Sequence, residues 1–296
     1  MIQGIFAASI TPLNPDFSPD LDAIPGYLDF LARRGCHGAL LLGTTGEGPS
    51  FSPQQRLAIL QAALKTRQDW PDFSLLAGTG TPSLDETAKL TQSAFELGMD
   101  GVVLLPPYYF RGSGDEGLFS WYMNILDRSV PSDGIVLAYH IPAVSGVGLS
   151  IDLISRLYNA APTKFTGLKD SSGDAEFAYQ LGNRFGSDLR VFTGNDSLLS
   201  EALHNNASGC ITALANLISP DLRDLWEAFK EQKMMSDIQE RINSAREVCE
   251  LYQPFPPLIK FLLNQHYDFP LWSVCPPLTP LPKESGDRIS AMLDLA

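Results

Sequence analysis

The sequence predicts an α/β fold, a (β/α)8 TIM barrel with a C-terminal helical extension, and three observations carry that expectation. Eight short apolar runs recur along the first two thirds of the chain, a longer amphipathic stretch follows each of the first seven, and after about residue 219 the runs stop while helical spacing continues. Continuous rather than alternating apolar runs fit strands buried on both faces of a parallel sheet. Eight strand–helix units at near-even spacing favour closure into a barrel over a doubly wound open sheet.

The runs are residues 4–10, 38–42, 73–77, 101–105, 135–139, 165–168, 189–192 and 209–213, rich in Val, Ile, Leu or Phe. Between them, residues 19–34 carry Leu21, Ile24, Leu28 and Leu31 at helical spacing. The stretch 52–67 opens with Ser52-Pro53, an N-cap followed by proline at the first helical position. Helices are expected over 83–97, 115–129, 150–159, 175–185 and 197–204 by the same logic. Residues 1–219 therefore read as the barrel and 220–296 as a helical extension that is not independent of it. The extension has helical spacing over 221–230 and 238–252. A proline break at Gln253-Pro254-Phe255-Pro256-Pro257 precedes a short helix over 258–264, and a proline-rich stretch, 275–282, precedes a last helix.

Composition narrows the function classes. With 44% hydrophobic residues among 296 the chain can bury a large core. A net charge of −13 opposes binding to nucleic acid or to an anionic membrane surface, while leaving room for a small anion held by aimed donors. Residues 1–10 contain no basic residue and do not read as a signal peptide, and no apolar stretch approaches ~18 residues. The four cysteines form no CxxC pair, and Cys36 and Cys210 sit beside apolar runs, a pattern suited to a reducing, cytoplasmic setting.

In a barrel, reactive side chains belong at the C-terminal ends of the strands. Those ends carry Gly43-Thr44-Thr45-Gly46-Glu47-Gly48, Pro106-Pro107-Tyr108-Tyr109-Phe110-Arg111, Tyr139-His140-Ile141-Pro142, Lys169-Asp170-Ser171-Ser172-Gly173, Gly194-Asn195-Asp196, and, on the eighth strand, Ile211 and Thr212. Lys169, one of only eight lysines, directly follows an apolar run. Desolvation at a barrel mouth disfavours an ammonium, and a neutral amine attacks carbonyls to form Schiff bases. An ordinary lysine there would pair with Asp170 or reach to solvent. Tyr139 ends the adjacent strand, where a phenol can shuttle protons or simply pack. The 43–48 turn lacks the lysine of a P-loop; its backbone N–H groups and two hydroxyls suit either a carboxylate or the cap of the next helix. Four scattered histidines form neither HExxH nor a zinc-spaced cluster, so no metal site is expected, and His140 faces outward if Tyr139 faces in.

Taken together, these positions resemble the dihydrodipicolinate synthase / N-acetylneuraminate lyase family of Schiff-base (β/α)8 enzymes. The matching residues are Gly43-Thr44-Thr45-Gly46-Glu47, Pro107-Tyr108-Tyr109, Tyr139-His140-Ile141-Pro142 with Ser145-Gly146, Gly167-Leu168-Lys169-Asp170, and Gly194-Asn195-Asp196, in order over nearly the whole chain. The resemblance implies a metal-independent class I lyase without a cofactor, acting through a covalent imine on Lys169. Tyr139 would move protons at the reacting bond, Thr44 and Thr45 would hold a pyruvate carboxylate, and Thr44 with Tyr109, the latter from a neighbouring subunit, would relay protons to Tyr139. Gly46, Gly194 and Ile211 are further substrate-binding candidates; Ser171, Asn195, Asp196 and Thr212 are candidates for a hydroxylated tail, and Arg111 for a terminal anion. The partners implied are a keto acid, an aldehyde and further copies of the chain in a tetramer or dimer.

The sequence also departs from parts of that family. Dihydrodipicolinate synthases carry an arginine just after Tyr-x-x-Pro, where this chain has Ala143-Val144-Ser145, and sialic acid lyases an acidic residue where it has Ser197. Residues 46–52 and Tyr108-Tyr109-Phe110 look instead like 2-keto-3-deoxygluconate-type aldolases. The expected activity is therefore cleavage or formation of a bond to pyruvate in a 2-keto-3-deoxy sugar acid or other 4-hydroxy-2-keto acid. The alternatives are dihydrodipicolinate synthase itself, a dehydratase on the same imine, and a non-catalytic keto-acid sensor. Residues 50–56 contain no histidine of the kind found at lysine-feedback sites, so feedback by lysine is not expected.

Overall fold

The computed structural model describes residues 2–293 and Leu295. Eight parallel strands close into a barrel in the order of the sequence, as expected. They are β1 (Gly4–Ala8), β2 (Gly38–Leu41), β3 (Ser74–Gly78), β4 (Gly101–Leu104), β5 (Val136–His140), β6 (Phe165–Asp170), β7 (Arg190–Thr193) and β8 (Gly209–Thr212). Helices α1 (Ala23–Arg33), α2 (Pro53–Leu64), α3 (Leu84–Leu97), α4 (Asp115–Ser129), α5 (Pro142–Ser145), α6 (Ile151–Ala160), α7 (Ala175–Phe185) and α8 (Leu199–His204) lie between them. Four more follow: α9 (Ser219–Lys230), α10 (Ser236–Glu250), α11 (Phe255–Tyr267) and α12 (Lys283–Ser290).

Three differences from the sequence reading have physical causes. β6 does not stop at residue 168: its ladder with β5 continues through Tyr139↔Lys169 and His140↔Asp170, so the lysine lies within the strand rather than after it. The prolines at 254–257 do not form a break ahead of a short helix over 258–264. They open α11, where a missing N–H is no loss, and the helix runs on to Tyr267. The short α5, begun by Pro142, falls where no element was expected.

The chain forms two compact units. The first contains residues 74–210, with β3 to β7 and α3 to α8. Its core is the buried aliphatic and aromatic set Leu75, Leu76, Val102, Leu104, Val136, Leu137, Phe165, Leu168 and Phe192. Three of its helices, α3, α6 and α7, start on side-chain caps: Ser83, Ser150 and Asp174 each accept a backbone N–H of the first turn.

The second unit contains residues 4–73 and 211–296, so the C-terminal helices share a core with the first two strand–helix pairs. Tyr27 of α1 makes edge contacts with Phe269 and Trp272, and its hydroxyl donates to Asn216 Oδ1 at 2.5 Å. Asn216 in turn donates to the carbonyl of Ala8 at 2.9 Å, fastening β1 to the residues that lead into the extension. The capping box on α2 is complete: Ser52 Oγ accepts from the N–H of Gln55, and Gln55 Oε1 accepts from that of Ser52. Among the described residues, no helix is long and apolar enough to cross a membrane.

Candidate active site

Strand register brings Lys169 and Tyr139 side by side. Paired directly across β5 and β6, their side chains share one face, and both are buried, at 3% and 5% exposure. Lys169 Nζ donates to the Tyr139 hydroxyl at 3.1 Å and stands 4.2 Å from the centroid of its ring. Among the described residues no carboxylate reaches this amine. The neighbouring Asp170 is turned to the opposite face by the alternation of the strand. It accepts from the N–H of Ser172 at 2.9 Å, and burial pushes its carboxyl above the ordinary range.

His140 leaves that face as well, as the alternation predicts. Its Nδ1 accepts the N–H of Leu149 at 3.0 Å and its ring stacks on Phe177 at 4.4 Å. Burial lowers its pKa to about 4, against a smaller upward pull from Asp174. It is a neutral packing group rather than an acid or base for the Lys169 face.

The ends of β6 and β7 bring Ser171 and Gly194 together. A Cβ on Gly194 would stand 1.9 Å from Ser171 Oγ, so only glycine fits, and its N–H donates to the carbonyl of Asp170 at 2.6 Å. Asn195 uses its side-chain oxygen to accept the N–H of Ser197 at 3.1 Å, and Asp196 is fully buried at the start of a 3-10 turn. In the other unit, β8 buries Ile211 and Thr212, and the Thr212 hydroxyl has no hydrogen-bond partner among the described residues.

The turn after β2 is held tightly. Leu42 and Glu47 both have left-handed backbones, at φ 60° and 55°. The Gly46 carbonyl accepts from the Thr11 hydroxyl at 2.7 Å, and a Cβ on Gly46 would lie 2.7 Å from the carbonyl oxygen of Ser9. Thr44 is exposed and Thr45 buried. Ser52, not this turn, caps α2.

Sequence reasoning missed one feature of this turn. Glu47 pairs with Lys260 of α11 at 2.5 Å, with both side chains buried. Burial pushes the Lys260 ammonium below its ordinary value, against the upward pull of the Glu47 carboxylate. The available signal was a single lysine inside the apolar run Leu258-Ile259-Lys260-Phe261-Leu262, since a charge there demands a partner.

Beyond β4, Tyr109 and Phe110 are 75% and 69% exposed and pack edge to face at 5.2 Å. Arg111 is exposed and leans on Gly146, just after α5: a Cβ there would come within 2.5 Å of its Cδ.

The profile of the Dihydrodipicolinate synthetase family matches residues 1–296. The chain belongs to this family. It is 37% identical over 291 residues to a DapA-like lyase of Chloroflexus aurantiacus, covering 98% of this chain and 94% of that one. It is 29% identical over 285 residues to the 4-hydroxy-tetrahydrodipicolinate synthase of Prochlorococcus marinus, covering 94% and 88%. Among solved structures it resembles YagE, a prophage protein of the dihydrodipicolinic acid synthase family from E. coli K12 crystallised with pyruvate. That likeness has a TM-score of 0.90 at 24% identity, over 99% of this chain and 97% of the other, and speaks for the fold. Like the family, the chain is a class I lyase, which removes the sensor reading.

Proposed function

We propose that this lyase makes or cleaves a carbon–carbon bond to pyruvate through an imine on Lys169, acting on a 2-keto-3-deoxy sugar acid or another 4-hydroxy-2-keto acid. The observation that carries the reading is the buried 3.1 Å contact between Lys169 Nζ and the Tyr139 hydroxyl. In the cleavage direction the amine of Lys169 attacks the keto carbon, and the Tyr139 phenol gives its proton to the hydroxyl that departs as water, which leaves a protonated imine beside a Tyr139 phenolate. Tyr139 takes the proton of the 4-hydroxyl as the C3–C4 bond breaks. The electron pair of that bond enters the imine to give an enamine, and the aldehyde departs. A proton returned to C3 by Tyr139 restores the imine, and hydrolysis frees pyruvate and the lysine. A positioned phenol contributes ~10²–10⁴-fold to such a step.

In this reading Thr44 and Thr45 hold the pyruvate carboxylate through hydroxyl and backbone N–H groups, and Gly46, Gly194 and Ile211 are further substrate-binding residues. Ser171, Asn195, Asp196 and Thr212 meet the hydroxylated tail, a role supported for Thr212 by its unpartnered buried hydroxyl. The exposed Tyr109 and Phe110 support a homotetramer or dimer in which Tyr109 serves a partner's proton relay. Three buried cysteines and the half-buried Cys275, which form no disulfide among the described residues, support a reducing, cytoplasmic setting. No cofactor is required, because the protonated imine is itself the electron sink.

A second reading is the condensation of pyruvate with aspartate semialdehyde. Arg111, packed on Gly146, brings a cation to the stretch where Ala143-Val144-Ser145 supplies none, and a second carboxylate would suit it. A dehydratase would use the same imine and break a C–O bond instead. Borohydride reduction in the presence of pyruvate, read by peptide mass, tests the imine, with an adduct expected on Lys169; its absence overturns the reading. A panel of aldehydes with pyruvate then tests the substrate. Hydroxylated aldehydes are expected to turn over faster than aspartate semialdehyde, and the opposite ranking transfers the enzyme to the second reading.

A further inference from the structure

Glu47 and Lys260 have no part in the imine chemistry, yet they form a fully buried ion pair, with side-chain exposures of 0% and 1%. Both carboxylate oxygens are engaged. Glu47 Oε1 accepts from Lys260 Nζ at 2.5 Å, and Oε2 accepts from the N–H of Cys275 at 2.7 Å. Lys260 gives a further hydrogen bond to the carbonyl of Ser273 at 2.6 Å. One residue of the turn after β2 is thus tied at two points to the C-terminal extension, and one of those points is itself braced within it. A buried ion pair gains little stability over an apolar pair of the same volume, because desolvation consumes most of the Coulombic attraction. What it supplies is a defined direction for each hydrogen bond.

That direction reaches the turn through the backbone. Glu47 is left-handed at φ 55°, and its N–H donates to the carbonyl of Thr44 at 3.1 Å. On one side Gly46 is held by the Thr11 hydroxyl, and on the other Gly48 lies so close to the Leu42 carbonyl that a Cβ would stand 2.0 Å from its oxygen. Packing fixes both flanks, and the position of Glu47 is set by the extension. We infer that Glu47 and Lys260 are positioning residues, which hold the turn in the geometry that presents Thr44 and Thr45 to the carboxylate of the keto acid. This rests on the proposed role of those two threonines. It makes the C-terminal helices part of substrate recognition in this chain.

The test compares two carbonyl compounds that trap on the same amine, pyruvate and propanal, of which only pyruvate carries a carboxylate. Half-saturation of borohydride trapping on Lys169 is measured for each, in the full-length protein and in Glu47→Gln, Lys260→Met and the double variant. The double variant removes both charges and keeps the test usable where a single variant fails to fold. The expected result is a rise of about tenfold or more in half-saturation by pyruvate, with propanal unchanged, so that selectivity for the carboxylate falls by the same factor. Pyruvate and propanal shifting together, or neither shifting, overturns the inference and leaves a purely structural pair. Absence of a pyruvate adduct in the unmodified protein is the separate failure of the Lys169 reading, and it takes the inference with it.

Discussion

Two lysines of this chain are almost wholly buried, and their surroundings differ in one decisive respect. Lys260 faces a carboxylate and a carbonyl, whereas Lys169 faces a phenol. A buried ammonium matched by a carboxylate stays charged and acts as a fastener, its lone pair occupied by a proton. An amine that meets a phenol hydroxyl instead has beside it a group able to pass protons to and from a bound carbonyl. Burial alone therefore does not mark a reactive lysine. In the proposed mechanism it is the second setting, burial beside a group that can exchange protons, that serves the reaction.

Exchanging each lysine for alanine separates the two roles most sharply. Lys169→Ala is expected to abolish the pyruvate adduct and lower turnover by a factor of ~10⁴ or more, while leaving the urea midpoint close to that of the parent. Lys260→Ala strands the Glu47 carboxylate in the interior and is expected to cost about 3–5 kcal/mol of stability. Urea unfolding and adduct mass on the two variants check both statements. A large stability loss in Lys169→Ala with a surviving adduct would break the comparison.

Tyr139→Phe tests what stands opposite the Lys169 amine. The ring and its 4.2 Å packing on Lys169 remain, and only the hydroxyl 3.1 Å from Nζ is removed. Turnover is expected to fall ~10²–10⁴-fold with the adduct still trappable, because in the proposed mechanism the phenol moves protons while the amine forms the covalent bond. Loss of trapping itself would mean that the phenol is needed to prepare the amine, not only to serve the later steps.

The two lysines were unequally legible in the sequence, for a physical reason. The meeting of Lys169 and Tyr139 was legible because both stand at strand ends of a predicted barrel, and adjacent parallel strands place their ends together. The outward turn of His140 followed from strand alternation alone. Lys260 was hidden because the meaning of a lysine inside an apolar helix lies in its partner, and Glu47 is 213 residues away. Pro256 and Pro257 misled for the converse reason: proline stops a helix in its interior but is welcome in the first turn, and only the packing of α11 tells which applies. Gly194 was legible as a motif residue, while its cause, a Ser171 side chain where a Cβ would sit, was not.

The smallest predicted effect extends the comparison from buried amines to buried imidazoles. His140, like Lys169, is buried with no carboxylate in hydrogen-bond contact among its described partners; Asp174 pulls its pKa up more weakly than burial pushes it down, and it rests at about 4. Its Nδ1 is already the acceptor for the N–H of Leu149, so protonation at that nitrogen breaks a hydrogen bond as well as placing a charge in the interior. The native value lies below the usual unfolded value of ~6.5, so between those two values the unfolded chain binds more protons than the native one. This contribution to stability is present above pH ~6.5 and is lost as pH falls toward about 4, with a slope of at most about 1.4 kcal/mol per pH unit. His37, whose Nδ1 accepts from the N–H of Ile5 and whose pKa is also lowered to about 4, adds a parallel term in the same direction. His140→Asn keeps a side-chain oxygen as an acceptor and removes the titration. Urea unfolding at pH 7.0 and 4.5 is expected to show a shallower loss in this variant than in the parent, by a fraction of one proton. An unchanged slope would mean that His140 keeps its charge in the folded protein, and that burial without a counterion does not neutralise a cation on this side of the barrel wall.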